Sequence, residues 1–251
     1  YQQEFRGGDG DDVITVELGF VQSAMIYGDA GNDTIIGGVS NDRMEGGAGD
    51  DLLIGGAGNG DRAFYSGRLS DYRIINDTAR GQLIVIDLRP GSPDGTDVVR
   101  TIEQFQFLDG PKTLAQVTAV AVPPIQGTNG ADTITTTVSD PSSIPLTTAQ
   151  ADVVYAGGGN DKVRGGGGND WLYGDDGADS IAGDAGADTL YGGDGNDTLY
   201  SGSVSPAFTA PYYDTPYTAP LLDTGAEVYA LYGGNGDARL FAGYGDTIDG
   251  R

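Results

Sequence analysis

Apolar residues recur at a fixed spacing of nine through the middle of the chain, between residues 165 and 200. Four consecutive copies of the pattern have Gly at positions one and four, Asp at position six and a bulky aliphatic residue at position eight. The aliphatic residues are Leu172, Ile181, Leu190 and Leu199. Another copy occupies 156–164, and residues 151–155 are the tail of one more. A repeat of constant length predicts a solenoid, in which one small unit is stacked on the next.

The composition of one copy predicts how it folds. Its first six residues are rich in Gly, which tolerates positive φ and so permits a sharp turn. Its last three residues form a short strand in which position eight points inward, while positions seven and nine point outward. Two copies then complete one coil, so that residues eighteen apart lie on top of each other. The predicted fold is all-β, with coils that form parallel sheets.

Stacking brings the position-six aspartates into two columns. One column holds Asp152, Asp170 and Asp188, and the other holds Asp161, Asp179 and Asp197. Bare carboxylates so placed repel each other, whereas a hard cation that accepts about six to eight oxygen ligands removes the repulsion. We expect several Ca²⁺ ions here, because Mg²⁺ demands a tighter octahedron and Zn²⁺ prefers His or Cys, which the chain lacks. Backbone carbonyls are predicted to complete the sites, from Gly157, Gly159, Gly166, Gly168, Asp175, Gly177, Asp184 and Gly186.

The repeats resemble the G-G-x-G-x-D-x-U-x nonapeptides of the RTX (haemolysin-type) calcium-binding proteins. The words that carry the resemblance are GGGGNDWLY, GDDGADSIA, GDAGADTLY and GGDGNDTLY. It implies a parallel β-roll that binds calcium and a protein that leaves a Gram-negative cell unfolded. The expected location is therefore outside the cell or on its surface. Both ends of the chain fall inside repeat-like sequence, which predicts a piece of a larger secreted protein.

A first array of repeats occupies residues 1–61. Its position-six aspartates are Asp12, Asp33, Asp42 and Asp51. The eighteen-residue spacing pairs Asp33 with Asp51 but leaves Asp42 with only the displaced Asp61. The copy that begins at Gly55 is one residue too long, and we expect this slip to end the roll because the next strand loses its register. Residues 18–26 are apolar and off-period, which indicates an enlarged turn or an extra strand.

The segment 62–122 has a different character. Alternating residues at 72–76 and 82–87 flank a Gly-containing loop, which predicts a hairpin. Residues 102–108 alternate again, with Phe105 and Phe107 on one face. The segment resembles the short all-β region that often follows RTX arrays, in the words FYSGRLSDYRI and GSPDGTDVVRTIEQFQFLDG. Its simplest role is to cap the roll, since a solenoid must end without an unpaired strand edge; a binding role is the alternative.

The repeats resume in a second array at 123–200, where Asp132 occupies position six of the first copy. An insertion rich in Thr, Ser and Pro interrupts this array at 136–150, and a Pro- and Tyr-rich insertion follows it at 201–224. Residues 225–251 contain degenerate copies in which metal sites are doubtful. Asp12 and Asp132 stand beside insertions, where we expect partial occupancy or other ligands.

The composition of the chain argues against several classes of function. The net charge is −24, and there is no basic stripe to meet nucleic acid phosphates. Such acidity with few large apolar residues is close to the signature of disorder, so calcium is expected to order the repeats. The absence of His and Cys excludes a Ser-His-Asp triad, a Cys-His pair and a zinc-His protease within this chain. No apolar run approaches the length of a membrane span. The composition does not exclude a carboxylate pair for glycoside chemistry. The Asp residues with a recognisable pattern are assigned to metal, however, so we expect no enzyme activity in this chain.

Position nine of alternate copies is Tyr155, Tyr173 and Tyr191, with Trp171 alongside. This aromatic stripe is expected to stabilise the sheet or to be covered by the chain itself. A sugar, the loop at 206–222 or a second subunit could equally contact it.

The sequence therefore predicts a calcium-binding structural module of a secreted or cell-surface protein. Two alternatives stay open: a calcium-dependent surface-assembly or adhesion module, and the carboxy-terminal support of an extracellular enzyme whose catalytic domain lies outside this chain.

Overall fold

Each nine-residue copy folds as a Gly-rich turn followed by a short strand in the computed structural model, which describes residues 3–16, 22–135, 147–200, 230–235, 239–241 and 247–249. The chain divides into two compact units, Tyr1–Pro123 and Pro124–Arg251. In each unit two stacked sheets of mainly parallel strands form a β-solenoid, which confirms the predicted fold class. No helix among the described residues is long or apolar enough to cross a membrane.

The first unit contains twelve strands among its described residues. They are β1 (Gln3–Asp9), β2 (Val13–Thr15), β3 (Ala24–Ala30), β4 (Thr34–Ile36), β5 (Arg43–Ala48), β6 (Leu52–Ile54), β7 (Arg62–Phe64), β8 (Tyr72–Asp77), β9 (Gln82–Asp87), β10 (Thr96–Arg100), β11 (Gln104–Phe107) and β12 (Gly110–Thr113). A 3-10 turn at Leu69–Asp71 precedes β8, and the helix α1 (Leu114–Thr118) follows β12. Sheet A has the order β1-β3-β5-β7-β11-β12, and sheet B has the order β2-β4-β6-β10-β9-β8.

The second unit contains eleven strands among its described residues. They are β13 (Ile125–Gln126), β14 (Thr133–Ile134), β15 (Val153–Tyr155), β16 (Lys162–Gly167), β17 (Trp171–Tyr173), β18 (Ser180–Ala185), β19 (Thr189–Tyr191), β20 (Thr198–Tyr200), β21 (Ala230–Tyr232), β22 (Arg239–Phe241) and β23 (Thr247–Asp249). Sheet C has the order β13-β15-β17-β19-β21-β23, and sheet D has the order β14-β16-β18-β20-β22.

The register of the strands follows the predicted coil of two copies. Ile35 pairs with Leu53 in sheet B, and Val163 pairs with Ile181 in sheet D, each eighteen residues further along the chain. These position-eight side chains are fully buried between the two sheets of their unit. Longer offsets occur where the chain carries an insertion, as between Thr133 and Lys162.

The slip after Gly55 does not end the roll, so that expectation is wrong. Strand β7 pairs in parallel with β5 at an offset of nineteen, from Arg43 to Arg62. The Gly-rich loop before β7 absorbs the extra residue, because its backbone can lengthen the turn without shifting the strand. The off-period apolar run is also partly explained: residues 24–26 begin β3, which pairs in parallel with β1. Residues 17–21 lie outside the described part of the chain.

The residues predicted to cap the first roll add strands to both of its sheets. Strand β10 pairs in parallel with β6 and antiparallel with β9, while β8 and β9 form the predicted antiparallel hairpin. In sheet A, β11 pairs in parallel with β7 and antiparallel with β12. The switch from parallel to antiparallel pairing therefore occurs in both sheets at the same end of the stack. The domain boundaries and the role of a cap stay predictions, as do the insertions at 136–150 and 201–224, which lie wholly or mainly outside the described residues.

Aromatic side chains fill the end of the first core. Phe105 and Phe107 are buried, as their alternation predicted, and their rings stack with centroids 6.3 Å apart. Phe107 also stacks on Tyr65 at 5.3 Å. Phe105 of β11 is paired with Ala63 of β7 in sheet A. The large side chain therefore compensates for the small one in the neighbouring coil.

Phe105→Ala is expected to destabilise the first unit by about 3–5 kcal/mol, because it opens a cavity where the solenoid meets its last strands. Urea unfolding in calcium, followed by circular dichroism, measures the loss. Leu108→Ala is the matched control, since Leu108 is 70% exposed. Equal losses in the two variants would contradict this assignment of the core.

Candidate metal centre

The aspartates at position six lie between the turns and the strands, where stacking removes them from solvent. All of the predicted ones are buried except Asp12, which is half-buried. The buried ones are Asp33, Asp42, Asp51, Asp132, Asp152, Asp161, Asp170, Asp179, Asp188 and Asp197. Burial of so many carboxyl groups requires compensating interactions.

Backbone hydrogen bonds connect these aspartates into ladders along each unit. The N–H of Asp161 donates to Oδ1 of Asp179 at 2.8 Å, and the N–H of Asp179 donates to Oδ1 of Asp197 at 2.9 Å. The other column has the same bonds from Asp152 to Asp170 and from Asp170 to Asp188. In the first unit the N–H of Asp33 donates to Asp51. The structure thus brings together the residues that the eighteen-residue spacing paired.

The second carboxylate oxygen has no such partner at several of these positions. Oδ2 is buried and accepts no hydrogen bond in Asp12, Asp33, Asp51, Asp61, Asp179 and Asp197. A buried carboxylate oxygen without a donor is costly. At Asp179 this oxygen and the carbonyl oxygen of Gly192 both lie within 3.0 Å of the point where a Cβ on Gly174 would stand. The same pair of oxygens meets at Gly28, where Asp33 faces the carbonyl of Gly46.

Two acceptors that converge without a proton between them suit a cation. Among the described residues, no group of three or more His, Cys, Asp or Glu side chains could hold a metal ion. The oxygens that meet at Gly174 and at Gly28 are one carboxylate and one backbone carbonyl, so a metal there would have both kinds of ligand. Calcium accepts such ligands readily, so the donor set fits it.

The comparison with family models agrees with this chemistry. A model of the RTX calcium-binding nonapeptide repeat matches residues 4–20, 27–61, 146–181 and 173–204. These segments are RTX calcium-binding repeats. The recognition made from the sequence is confirmed for them. The matched segments do not reach residues 62–122, whose resemblance to an RTX-associated region stays a prediction.

Over the length of the whole chain the similarity to known proteins is low. A search of curated proteins found no match. Among solved structures, the extracellular lipase LipA from Serratia marcescens matches with 18% identity and a TM-score of 0.27. The match covers 87% of this chain and 35% of the lipase chain, so this chain spans about a third of that protein. A likeness this weak carries no argument about fold or function.

Three of the predicted aspartates differ from the rest of the RTX set. Oδ2 of Asp42 accepts the N–H of Gly38 at 3.0 Å, and Oδ2 of Asp132 accepts the N–H of Thr128 at 2.6 Å. Asp152 accepts the N–H of Thr148 in the same way. In each case the donor is the residue at position two of the same turn. The protein itself satisfies these oxygens, so they fit a cation less well.

The predicted carbonyl ligands also fall into groups. The carbonyl oxygens of Gly159, Gly168 and Gly177 face the glycine one coil further on, closer than 3.0 Å to the point where its Cβ would stand. The carbonyls of Gly157 and Asp175 already accept N–H bonds, from Asp176 and Asp194. Gly166 and Asp184 pair with each other between β16 and β18, and Gly186 has φ +129° in the turn after β18.

The ladders contain three acids that sequence reasoning did not place at a site. The N–H of Asp42 donates to Asp61 at 2.7 Å, so the displaced residue takes up its ladder position. The N–H of Asp51 donates to Oδ1 of Asp97 at 3.0 Å, and the N–H of Asp61 donates to Oε2 of Glu103 at 2.9 Å. Asp97 and Glu103 each stand two residues before a buried side chain, Val99 and Phe105. In the RTX repeat the same two-residue spacing separates the aspartate at position six from the aliphatic residue at position eight. This spacing could have identified Asp97 and Glu103 from the sequence.

A second ladder runs along the outside of the turns, from the Asn at position five. Oδ1 of Asn160 accepts the N–H of Ala178 at 3.0 Å, and Oδ1 of Asn32 accepts the N–H of Asp50 at 2.9 Å. The donor lies one coil further along the chain, whereas in the aspartate ladder the donor lies one coil earlier. A repeat that has Asn-Asp at positions five and six, such as Asn160 and Asp161, is therefore tied to both neighbouring coils.

Electrostatics explain why these carboxyl groups need a partner. Burial raises the pKa of Asp51 and Asp179 to about 7 and that of Asp61 to about 6, although a backbone N–H donates to each. The ionised form is thus disfavoured when no cation is near. A cation that binds the same oxygens favours the ionised form.

Gly174→Ala is expected to destabilise the calcium-loaded protein by about 1–3 kcal/mol, because the new methyl group would overlap Oδ2 of Asp179 and the carbonyl of Gly192. Denaturant unfolding at saturating calcium measures this. Gly158→Ala is the control, since its Cβ would meet no atom closer than 3.5 Å. If both variants lose the same stability, the crowding at position one is not what selects glycine.

Proposed function

We propose that this chain is a calcium-binding structural module of a protein secreted by, or displayed on, a Gram-negative cell, and that it folds when calcium binds outside the cell. The observation that carries the proposal is the row of buried Oδ2 atoms that accept no hydrogen bond. A cation bound in such a turn would give these oxygens the partner that a buried carboxylate needs.

The net charge of the chain makes folding depend strongly on calcium binding. At a net charge of −24, the folded state brings many carboxylates close together. Without cations, self-repulsion opposes the compact state. Binding of Ca²⁺ neutralises the columns, so the binding free energy contributes directly to folding. The β-solenoid has a structural role in this proposal, and any catalytic domain would lie elsewhere in a longer protein.

The proposed ligands are the six aspartates with an Oδ2 that accepts no hydrogen bond, together with the other members of the same ladders and the carbonyls of the turns. The turns offer oxygens at changing distances along each coil, which suits the flexible coordination of Ca²⁺ at about 2.3–2.6 Å better than the strict octahedron of Mg²⁺. Asp42, Asp132 and Asp152 are proposed as weaker or unfilled positions because their turns already satisfy them.

A calcium titration of chelated protein, followed by far-ultraviolet circular dichroism, tests the proposal. We expect a cooperative rise in β signal as calcium is added. A spectrum that is already folded in excess chelator and does not change with calcium would overturn it.

Asp179→Asn is expected to raise the calcium concentration at the folding midpoint by roughly tenfold, the scale on which loss of a metal-site partner acts. The change keeps the shape of the side chain and removes one ligand charge. Asp176→Asn is the matched control, because Asp176 is exposed in the same turn and its removal changes the net charge equally. A midpoint that shifts alike in both variants would mean that general charge, not the ladder position, controls folding.

A second candidate function, contact with another copy of the chain, rests on the aromatic stripe of sheet C. The rings of Tyr155, Tyr173, Tyr191 and Tyr232 stack in sequence with centroids 4.8, 4.6 and 4.7 Å apart. Tyr232 was not predicted, because forty-one residues separate it from Tyr191. Stacking of this kind stabilises the sheet by itself. Tyr173, Tyr191 and Tyr232 also keep part of their surface accessible to a partner.

If the stripe mediates assembly, calcium-loaded protein should associate with increasing concentration, and a variant with Tyr173→Ser and Tyr191→Ser should not. Analytical ultracentrifugation of both proteins measures the mass. The control is Tyr27→Ser, which removes a tyrosine from the first unit. A wild-type protein that stays monomeric at every concentration would remove this candidate and leave the stripe a stabilising element.

A further inference from the structure

A cleft of about 630 Å³ opens on the outer surface of the first unit. It is lined by Arg43, Arg62 and Gln104 together with Gln22, Ser23, Asn41, Asp42 and Gly60. Apart from the glycine, every lining side chain is polar. The cleft lies beside the RTX turns, and the ladder residue Asp42 forms part of its lining.

Three hydrogen-bond donors stand in one row across this cleft. Arg43 of β5 is directly paired with Arg62 of β7, and Arg62 is directly paired with Gln104 of β11. Neighbouring strands are about 4.8 Å apart, so two guanidinium groups extend from adjacent backbone positions on the same face. Nε of Arg62 donates to Oε1 of Gln104 at 3.1 Å, which holds that guanidinium in place.

This arrangement is unfavourable for the protein alone. Like charges directly opposite each other on neighbouring strands destabilise a sheet. Among the described residues, neither Arg43 nor Arg62 forms a salt bridge, whereas Arg6 pairs with Glu4 and Asp29, and Arg89 pairs with Asp87 and Asp94. Two adjacent arginines without a carboxylate partner are unexpected in a chain with a net charge of −24.

The one carboxylate in the cleft is already occupied. Oδ1 of Asp42 accepts the N–H of Ala24 at 2.8 Å, and Oδ2 accepts the N–H of Gly38 at 3.0 Å. Asp42 is buried, while Arg43 is exposed. Nε and Nη2 of Arg62 donate to Oε1 of Gln104, so Nη1 of Arg62 and the exposed guanidinium of Arg43 are the groups that would contact a ligand.

We propose that this cleft binds an oxyanion, a carboxylate or sulfate group carried by a small anion or by an anionic polysaccharide. Planar guanidinium groups bind such groups through paired hydrogen bonds. An anion between Arg43 and Arg62 would remove their mutual repulsion, and the amide of Gln104 would extend the row of polar contacts. The site is expected to operate in the calcium-loaded protein, where bound cations reduce the overall negative charge.

The test uses the full chain at saturating calcium and follows the arginine side-chain signals by NMR. Sodium sulfate, sodium acetate, digalacturonate and a sulfated heparin-type tetrasaccharide are titrated separately; phosphate is omitted because it precipitates calcium. We expect saturable shifts with at least one of these probes. Affinity for the oligosaccharides that exceeds that for the small anions by tenfold or more would identify an anionic polysaccharide as the source. Similar affinities would identify a small anion.

Arg43→Gln and Arg62→Gln should each weaken binding by about tenfold or more, since each removes a charge-assisted contact. Arg68→Gln is the matched control, because Arg68 is exposed in the same unit, lies outside the cleft and carries the same charge. The calcium midpoint and the circular dichroism spectrum of each variant establish that it folds. The proposal is overturned if no probe gives saturable shifts, or if Arg68→Gln weakens binding as much as Arg43→Gln does. Either result would leave the calcium proposal unaffected, since that rests on the ladders.

Discussion

The position of the buried carboxylate at the sixth residue of each repeat is the constraint on which the rest of this structure depends. One oxygen of Asp179 is held by the backbone of the preceding coil, while the other faces the carbonyl of Gly192 across the space that a methyl group on Gly174 would fill. A side chain at position one, a shift of the strand or the loss of a coil would each disturb that meeting of oxygens. The glycines and the short strands are consistent with the role that we propose for these oxygens, as ligands of a cation.

The two ladders of hydrogen bonds hold the turns that carry these carboxylates in position. Where position five is asparagine, its side chain accepts from the following coil, as at Asn160, while the aspartate beside it accepts from the preceding coil, as at Asp161. Such a turn is therefore hydrogen-bonded to both neighbouring coils. At the end of the first stack, Asp97 and Glu103 accept the last N–H groups of the two ladders. The same segment that supplies them also turns both sheets to antiparallel pairing.

Periodicity made most of this architecture predictable. Because the inward position is fixed within each repeat, Leu172, Ile181 and their equivalents could be assigned to the core and the aspartates to columns before any coordinates were known. Prediction failed where the period was broken. Asp97 and Glu103 lie in a segment without repeats, Tyr232 follows a long insertion, and β7 continues the roll because a flexible turn absorbs one extra residue. The row formed by Arg43, Arg62 and Gln104 could not be predicted from the sequence either, because it depends on which strands become neighbours.

The offsets between paired strands have a consequence for how such a chain can change. Coils that are joined by eighteen, twenty-one, twenty-nine or forty-one residues keep the same strand pairing. The stack thus constrains the strands and the turns beside them but tolerates extra chain between one coil and the next. New loops can be acquired, lengthened or lost at those points during evolution without disturbing the aspartate columns. A solenoid of this kind is a scaffold on which surface properties can diversify while the folding mechanism stays the same.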